Sequence, residues 1–112
     1  MVKKDFMLER GDIVWVNFSP TIGHKQSGLR PAVVISPSKY NSFSNLVLVC
    51  PVTKKSKGYF FEVKITGLKE DSFVLADQLR SIDNKERIKK RTGKISQDEI
   101  LEILARMSLL FQ

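Results

Sequence analysis

The side chains with chemical reach gather in two short stretches. The first is Gly23-His24-Lys25-Gln26-Ser27-Gly28-Leu29-Arg30-Pro31, which holds the one histidine of the chain and an arginine directly before a proline. The second is Thr53-Lys54-Lys55-Ser56-Lys57-Gly58, rich in lysine and hydroxyl groups. A guanidinium offers several donors in a planar fork that suits phosphate or carboxylate. Lysines neutralise phosphate charge, while hydroxyls and amides position it. Together the two stretches suit a phosphodiester. Each alone also reads as a solvated loop, with Arg30 a surface residue at a strand end.

The elements that must hold these loops follow from periodicity. Residues 1 to 11 read as a polar lead-in closed by Gly11. Asp12 to Phe18 alternates as a strand, with Val14, Val16 and Phe18 on one face and Ile13, Trp15 and Asn17 on the other. Pro31 fixes its own φ, pushes Arg30 towards an extended backbone, and donates no hydrogen bond, so it suits the start of a second strand through Ala32-Val33-Val34-Ile35. Pro37 to Ser42 has turn or short-helix character. Leu46 to Thr53 reads as a third strand, apolar on both faces, in which Pro51 implies a bend, a bulge or an edge. Tyr59 to Ile65 reads as a fourth strand, where Glu62 and Lys64 should face solvent, and Ser72 to Leu79 as a fifth. The basic run Arg80 to Thr92 carries a hint of one more short strand at Ile88 and Ile95 on either side of Gly93. Ser96-Gln97-Asp98-Glu99 forms a capping box, and Ile100, Ile103, Leu104, Met107 and Phe111 then recur at helical spacing, leaving Glu102 and Arg106 outside. Short strands followed by one amphipathic helix, about 96–110, point to a small bent β-barrel with helical decoration.

The 112 residues suit one domain spanning 1–112, with 42% apolar and 28% charged residues. Nineteen basic against 12 acidic residues give a net charge of +7, which favours nucleic acid, an acidic protein partner or an anionic surface. Cys50 has no partner for a disulfide and reads as a small core residue in a reducing compartment. Lys3 and Lys4 are followed by no apolar stretch of signal-peptide length, and no segment spans a bilayer, so a cytoplasmic protein without membrane attachment is expected. Zinc-ligand spacings, phosphate-cradling glycine loops and a serine elbow are all missing, so no metal or other cofactor is expected. RNA carries its own nucleophile, the 2′-hydroxyl, and a metal-free enzyme acting on it needs only a base, an acid and charge stabilisation.

The block from Gly23 to Pro37 resembles the conserved block of the MazF/PemK toxins, ribosome-independent endoribonucleases of type II toxin–antitoxin pairs. The likeness extends in order through Gly11 to Pro20, Pro51-Val52-Thr53, Ser56 to Val63, and Leu75 to Ile82. It implies an SH3-like β-barrel with a C-terminal helix, assembled as a homodimer. The implied activity is metal-independent, sequence-specific cleavage of single-stranded RNA, mRNA included, leaving a 2′,3′-cyclic phosphate and a 5′-hydroxyl. The implied partner is a cognate antitoxin whose acidic, disordered tail occupies the cationic groove.

Residue by residue, the family's catalytic arginine before proline matches Arg30, and its catalytic threonine matches Thr53. In the PemK branch a histidine and an aspartate also take part, matching His24 and Asp77. RNA contacts are expected from Lys25, Gln26, Ser56, Lys57, Asp77 and Gln78. Lys25 stands where many relatives carry glutamate, and Leu75 where the PemK branch carries arginine. His24 is then the nearby side chain whose ordinary pKa suits a base, and Lys25 and Arg30 should disfavour its imidazolium. Two other readings stay open: a toxin of this fold that binds a DNA topoisomerase, and an RNA-binding barrel without catalysis.

Overall fold

A computed structural model describes residues 7–18 and 28–112. The sheet has seven strands: β1 (Asp12–Asn17), β2 (Leu29–Val34), β3 (Leu46–Thr53), β4 (Glu62–Ile65), β5 (Ser72–Leu75), β6 (Arg80–Asp83) and β7 (Ile88–Lys94). Three helices accompany them, α1 (Ser38–Phe43), α2 (Asn84–Arg87) and α3 (Gln97–Ser108), and a 3-10 turn at Leu109–Phe111 follows. The antiparallel path runs β4-β5-β3-β2-β1-β7, with β6 also on β3. Among the described residues its end strands do not pair, so the expected small β fold with a C-terminal helix is present as an open sheet rather than a closed barrel.

The long strand β3 holds the centre. β2 lies along one side, with Ala32 opposite Pro51 and Val34 opposite Val49. Along the other side β6 accompanies Leu46 to Val49, and β5 takes over at Val52 and Thr53. Pro51, which has no N–H to give, falls at that hand-over. It marks a change of neighbour inside the sheet and not an edge.

Because successive side chains of a strand point to opposite faces, the apolar runs of β1, β2 and β3 feed two cores. Ile13, Val33, Cys50 and Val52 face one side, where α3 brings Ile100, Ile103 and Met107 and the hairpin β4–β5 brings Val63, Ile65 and Val74. Val14, Val16, Ala32, Val34, Val47 and Val49 face the other, with Leu8, Ile82 and Ile88. The lead-in is thus not wholly polar, since Leu8 is buried. Gly11 is needed at its turn: φ is +97°, and a Cβ there would lie 2.6 Å from Ile100 Cδ1.

The capping box forms as expected. Ser96 Oγ accepts from the Glu99 amide at 3.1 Å, and Glu99 Oε1 accepts from the Ser96 amide at 2.9 Å. The other Glu99 oxygen accepts from the Thr66 amide at 2.8 Å, which ties the helix start to the end of β4. These bonds outweigh the opposing effect of burial and hold the Glu99 carboxyl below its ordinary pKa. Further along, Arg106 donates to Glu102 at 2.6 Å, to the Glu62 carbonyl at 3.2 Å, and to the Phe60 carbonyl. Arg106 therefore clamps α3 onto β4 instead of standing outside. Phe111 lies beyond the end of α3 and is 74% exposed, so it does not extend the buried stripe.

Three other expectations are corrected. β4 begins only at Glu62, and Glu62 is buried where a solvent-facing residue was expected. β5 ends at Leu75, because Ala76 and Asp77 form a turn. The basic run after it holds two strands, β6 and β7, split by α2, whose N-cap Asp83 accepts from the Glu86 amide at 2.8 Å.

Candidate active site

Three segments meet around a cleft of about 600 Å³. The ends of β1 and β2 contribute Trp15, Arg30 and Pro31. The end of β3 and the residues after it contribute Val52, Thr53, Lys54 and Lys55. The turn between β4 and β5 contributes Leu68, Lys69 and Glu70, with Ser72 at the start of β5. Arg30 is placed there by strand register, since it lies opposite Val16 on β1 and next to Pro31, which lies opposite Trp15. Pairing with β3 starts one residue later, at Ala32, which leaves room at that end of β2 for a residue that cannot donate.

The cleft lining is strongly cationic. Arg30, Lys54, Lys55 and Lys69 face a single carboxylate, Glu70. Lys54 Nζ lies 3.4 Å from Glu70 Oε1, with both side chains 66% exposed. Arg30 is exposed, and its side chain makes no hydrogen bond or ion pair among the described residues. Thr53 Oγ1 accepts from the Lys55 amide at 3.2 Å, so its own O–H proton remains available for a phosphate oxygen. Cations and a hydroxyl beside one opening are the groups that suit a phosphate.

The structure brings Arg30 and Thr53 together. It sets Ser56, Lys57, Asp77 and Gln78 outside the cleft lining. The Ser56 hydroxyl donates to Glu62 Oε1 at 2.8 Å, and the Lys57 amide donates to Glu62 Oε2 at 2.9 Å. The Lys57 amide, against the opposing effect of burial and with help from Ser56, holds the Glu62 carboxyl below its ordinary pKa. Glu62 therefore fastens the loop that follows Thr53, a role that strand alternation did not reveal. Asp77 accepts from the Tyr59 hydroxyl through Oδ2, and that bond, followed by burial, raises the Tyr59 pKa. Asp77 Oδ1 is buried with no hydrogen-bond partner among the described residues. Burial, with a smaller contribution from the Asp77 charge, pushes the Cys50 thiol up to about 12. Gln78 is exposed, and its amide donates to the Leu75 carbonyl at 3.1 Å. His24, Lys25 and Gln26 lie outside the described residues.

Among the described residues, no three His, Cys, Asp or Glu side chains cluster as metal ligands. Sequence reading did not single out Trp15, Leu68, Lys69 or Glu70. Alternation put Trp15 on the same face as Ile13, but nothing local showed that the turn at 68–70 closes over it.

Residues 9–111 match the family model of the PemK-like, MazF-like toxins of type II toxin–antitoxin systems. The chain belongs to this toxin family. The toxin is 41% identical over 105 residues to the endoribonuclease toxin MazF of Escherichia coli strain K12, a match covering 94% of this chain and 95% of that one. Its fold superposes on the crystal structure of MazF (Form-I) from Deinococcus radiodurans with a TM-score of 0.81 at 40% identity, covering 96% of the toxin and all of that chain. A MazE–MazF crystal structure (Form-II) from the same organism gives a TM-score of 0.77 at 33% identity, covering 96% of the toxin and 97% of that chain. No helix among the described residues is long and apolar enough to cross a membrane.

Proposed function

We propose that this toxin is a metal-independent endoribonuclease that cuts single-stranded RNA, messenger RNA included, at sites of defined sequence. The observation that carries the reading is one cleft lined by both Arg30 and Thr53, with the guanidinium unpaired among the described residues. Endoribonuclease names on relatives of this similarity support it. The 2′-hydroxyl loses its proton to a base and attacks the adjacent phosphorus. The bond to the 5′-oxygen breaks, and that oxygen takes up a proton. The products are a 2′,3′-cyclic phosphate and a 5′-hydroxyl.

Arg30 stabilises the charge that builds on the phosphorane, a role suited to the several donors of a guanidinium. Thr53 donates to a non-bridging oxygen. His24 is the base, and Asp77 orients its ring. Lys25, Gln26, Lys57 and Gln78 extend the RNA track beyond the cleft. The toxin acts in the cytoplasm as a homodimer of single-domain chains, and a cognate antitoxin with an acidic, disordered tail inhibits it by lying along the cationic surface.

The test is incubation of a long RNA with pure toxin in excess EDTA. Cleavage by the wild type and its loss in Arg30→Ala and Thr53→Ala support this mechanism. Abolition by EDTA, or undiminished cutting by both variants, removes it. Intact bound RNA marks a non-catalytic binder, and RNA neither bound nor cut returns the reading to a topoisomerase-binding toxin. For His24, the pH–rate profile at saturating RNA should lose its acid limb in His24→Gln together with a large drop in kcat. An acid limb that persists assigns the base elsewhere.

A further inference from the structure

Cations, a hydroxyl and amides suffice to hold a phosphate, yet much of this cleft is apolar. Its floor continues the core. Ile13, Val33 and Cys50 lie in one cross-strand row on β1, β2 and β3, buried beneath α3. Two residues further towards the open end, on the same face of each strand, stand Trp15, Pro31 and Val52. Ile13 is fully buried, whereas Trp15 is only partly so, and Leu68, packed against the same core, also lines the cleft. An indole beside exposed cations is the combination that holds an unstacked base of a single strand next to its phosphate.

Glu70 adds selectivity. It is the one carboxylate among the lining residues, and the buried Ser72 hydroxyl donates to its carbonyl at 2.9 Å, fixing the turn that carries it. An exposed ion pair such as that of Glu70 with Lys54 contributes little stability, so each partner is ready to exchange for a ligand. A carboxylate accepts and does not donate. Guanine presents two adjacent donors, N1–H and the N2 amino group, which match two carboxylate oxygens. Uracil presents one N–H between two carbonyl oxygens that a carboxylate repels. We infer that the cleft seats one RNA base against Trp15 beside the phosphate held by Arg30 and Thr53, and that Glu70 selects guanine there. Lys54, released from Glu70, turns to the phosphate. The inference deepens the endoribonuclease reading and rests on it for the phosphate's identity.

Trp15 is the sole tryptophan, so its emission reports this cleft alone. The experiment titrates the toxin with 2′-deoxy tetranucleotides, which lack the nucleophile, carrying one guanine at each position in turn within a uracil background. Labelled oligonucleotide anisotropy measures binding in parallel, and cut sites are mapped on a long RNA. The expected result is Trp15 quenching, about 10-fold tighter binding for one guanine position than for all-uracil, and cuts at a fixed step from guanine. Glu70→Gln, at an exposed position, should bring the preference within about 2-fold and relax the cut-site pattern. Binding without any change in Trp15 emission overturns the inference, as does a guanine preference that survives in Glu70→Gln. A Trp15 response to an acidic peptide but to no oligonucleotide also overturns it. If RNA is cut without guanine preference, only this inference falls. If RNA stays intact while quenching depends on guanine and Glu70, the base site stands and the nuclease reading falls.

Discussion

Arg106 and Arg30 occupy opposite situations. Arg106 donates to Glu102 and to the carbonyls of Phe60 and Glu62, and its guanidinium lies 4.9 Å from the centre of the Phe60 ring. Nearby, Glu62 and Glu99 are each satisfied by amide and hydroxyl donors. Arg30, at the cleft, has no such partner among the described residues, and Lys54 has only an exposed ion pair. Charges at the α3–β4 seam complete hydrogen bonds that folding would otherwise leave unmade. Charges at the cleft stay exposed, answered by at most one surface ion pair among the described residues. The same residue type is thus tied into the fold in one region and left open to solvent in the other, and the difference lies in who answers its donors.

The sharpest way to break this contrast is a pair of substitutions. Arg30→Ala should lower the RNA cleavage rate on the order of 10²- to 10³-fold, the loss seen when a donor to a developing oxyanion is removed. Its urea midpoint should stay at the wild-type value. Arg106→Ala should do the reverse, costing about 1–3 kcal/mol of unfolding free energy through carbonyls left without a donor, with the cleavage rate per folded molecule unchanged. Equal destabilisation by both would erase the distinction.

Next in size is Gly11→Ala, at the turn beneath α3. The added Cβ meets Ile100 Cδ1 at 2.6 Å in a backbone region that side chains avoid, so a loss of about 2 kcal/mol is expected by denaturant titration. RNA cleavage per folded molecule should not move.

Acidification sharpens the comparison from the structural side. The folded-state pKa of Glu62 is lowered. Its contribution is therefore fully present above the unfolded value of about 4.3 and is lost as pH falls through the lower folded value. The stability gap between wild type and Glu62→Gln should be constant from pH 7 to 5 and close below that. A gap that widens on acidification would contradict the assignment of Glu62 as the fastener of its loop.

The smallest effect concerns Cys50. Burial pushes its thiol up to about 12, and the nucleophile is the thiolate. An aromatic disulfide reagent at pH 8 should leave native toxin unmodified over hours and react at once in urea. Rapid reaction of the native protein would show that the core around β3 opens.

Much of the fold was legible because its causes are local. The capping box at Ser96 to Glu99 needs only a four-residue spacing, the alternation of β1 and the short apolar run of β2 announce strands, and β3 is apolar on both faces. The same stretches carry the family likeness, and with it Arg30 and Thr53. Where local pattern misled, tertiary neighbours were the cause. Glu62 alternates like a solvent-facing residue, yet the loop of Ser56 and Lys57 folds over it and satisfies both oxygens. Pro51 reads as a bend, a bulge or an edge, and of these the edge is excluded, because β3 is central and changes partner there.

By itself, then, the sequence determined which segments become strands and helix, since backbone conformation and capping depend on neighbours a few residues away. It also determined the stock of groups able to hold a phosphate. Only the tertiary structure decided that Trp15, Arg30, Thr53 and Glu70 share one opening. Those residues come from three separate segments, and their meeting depends on strand register and on how the β4–β5 turn packs against the sheet. Register follows from burying whole faces at once, a condition that no single stretch of chain expresses.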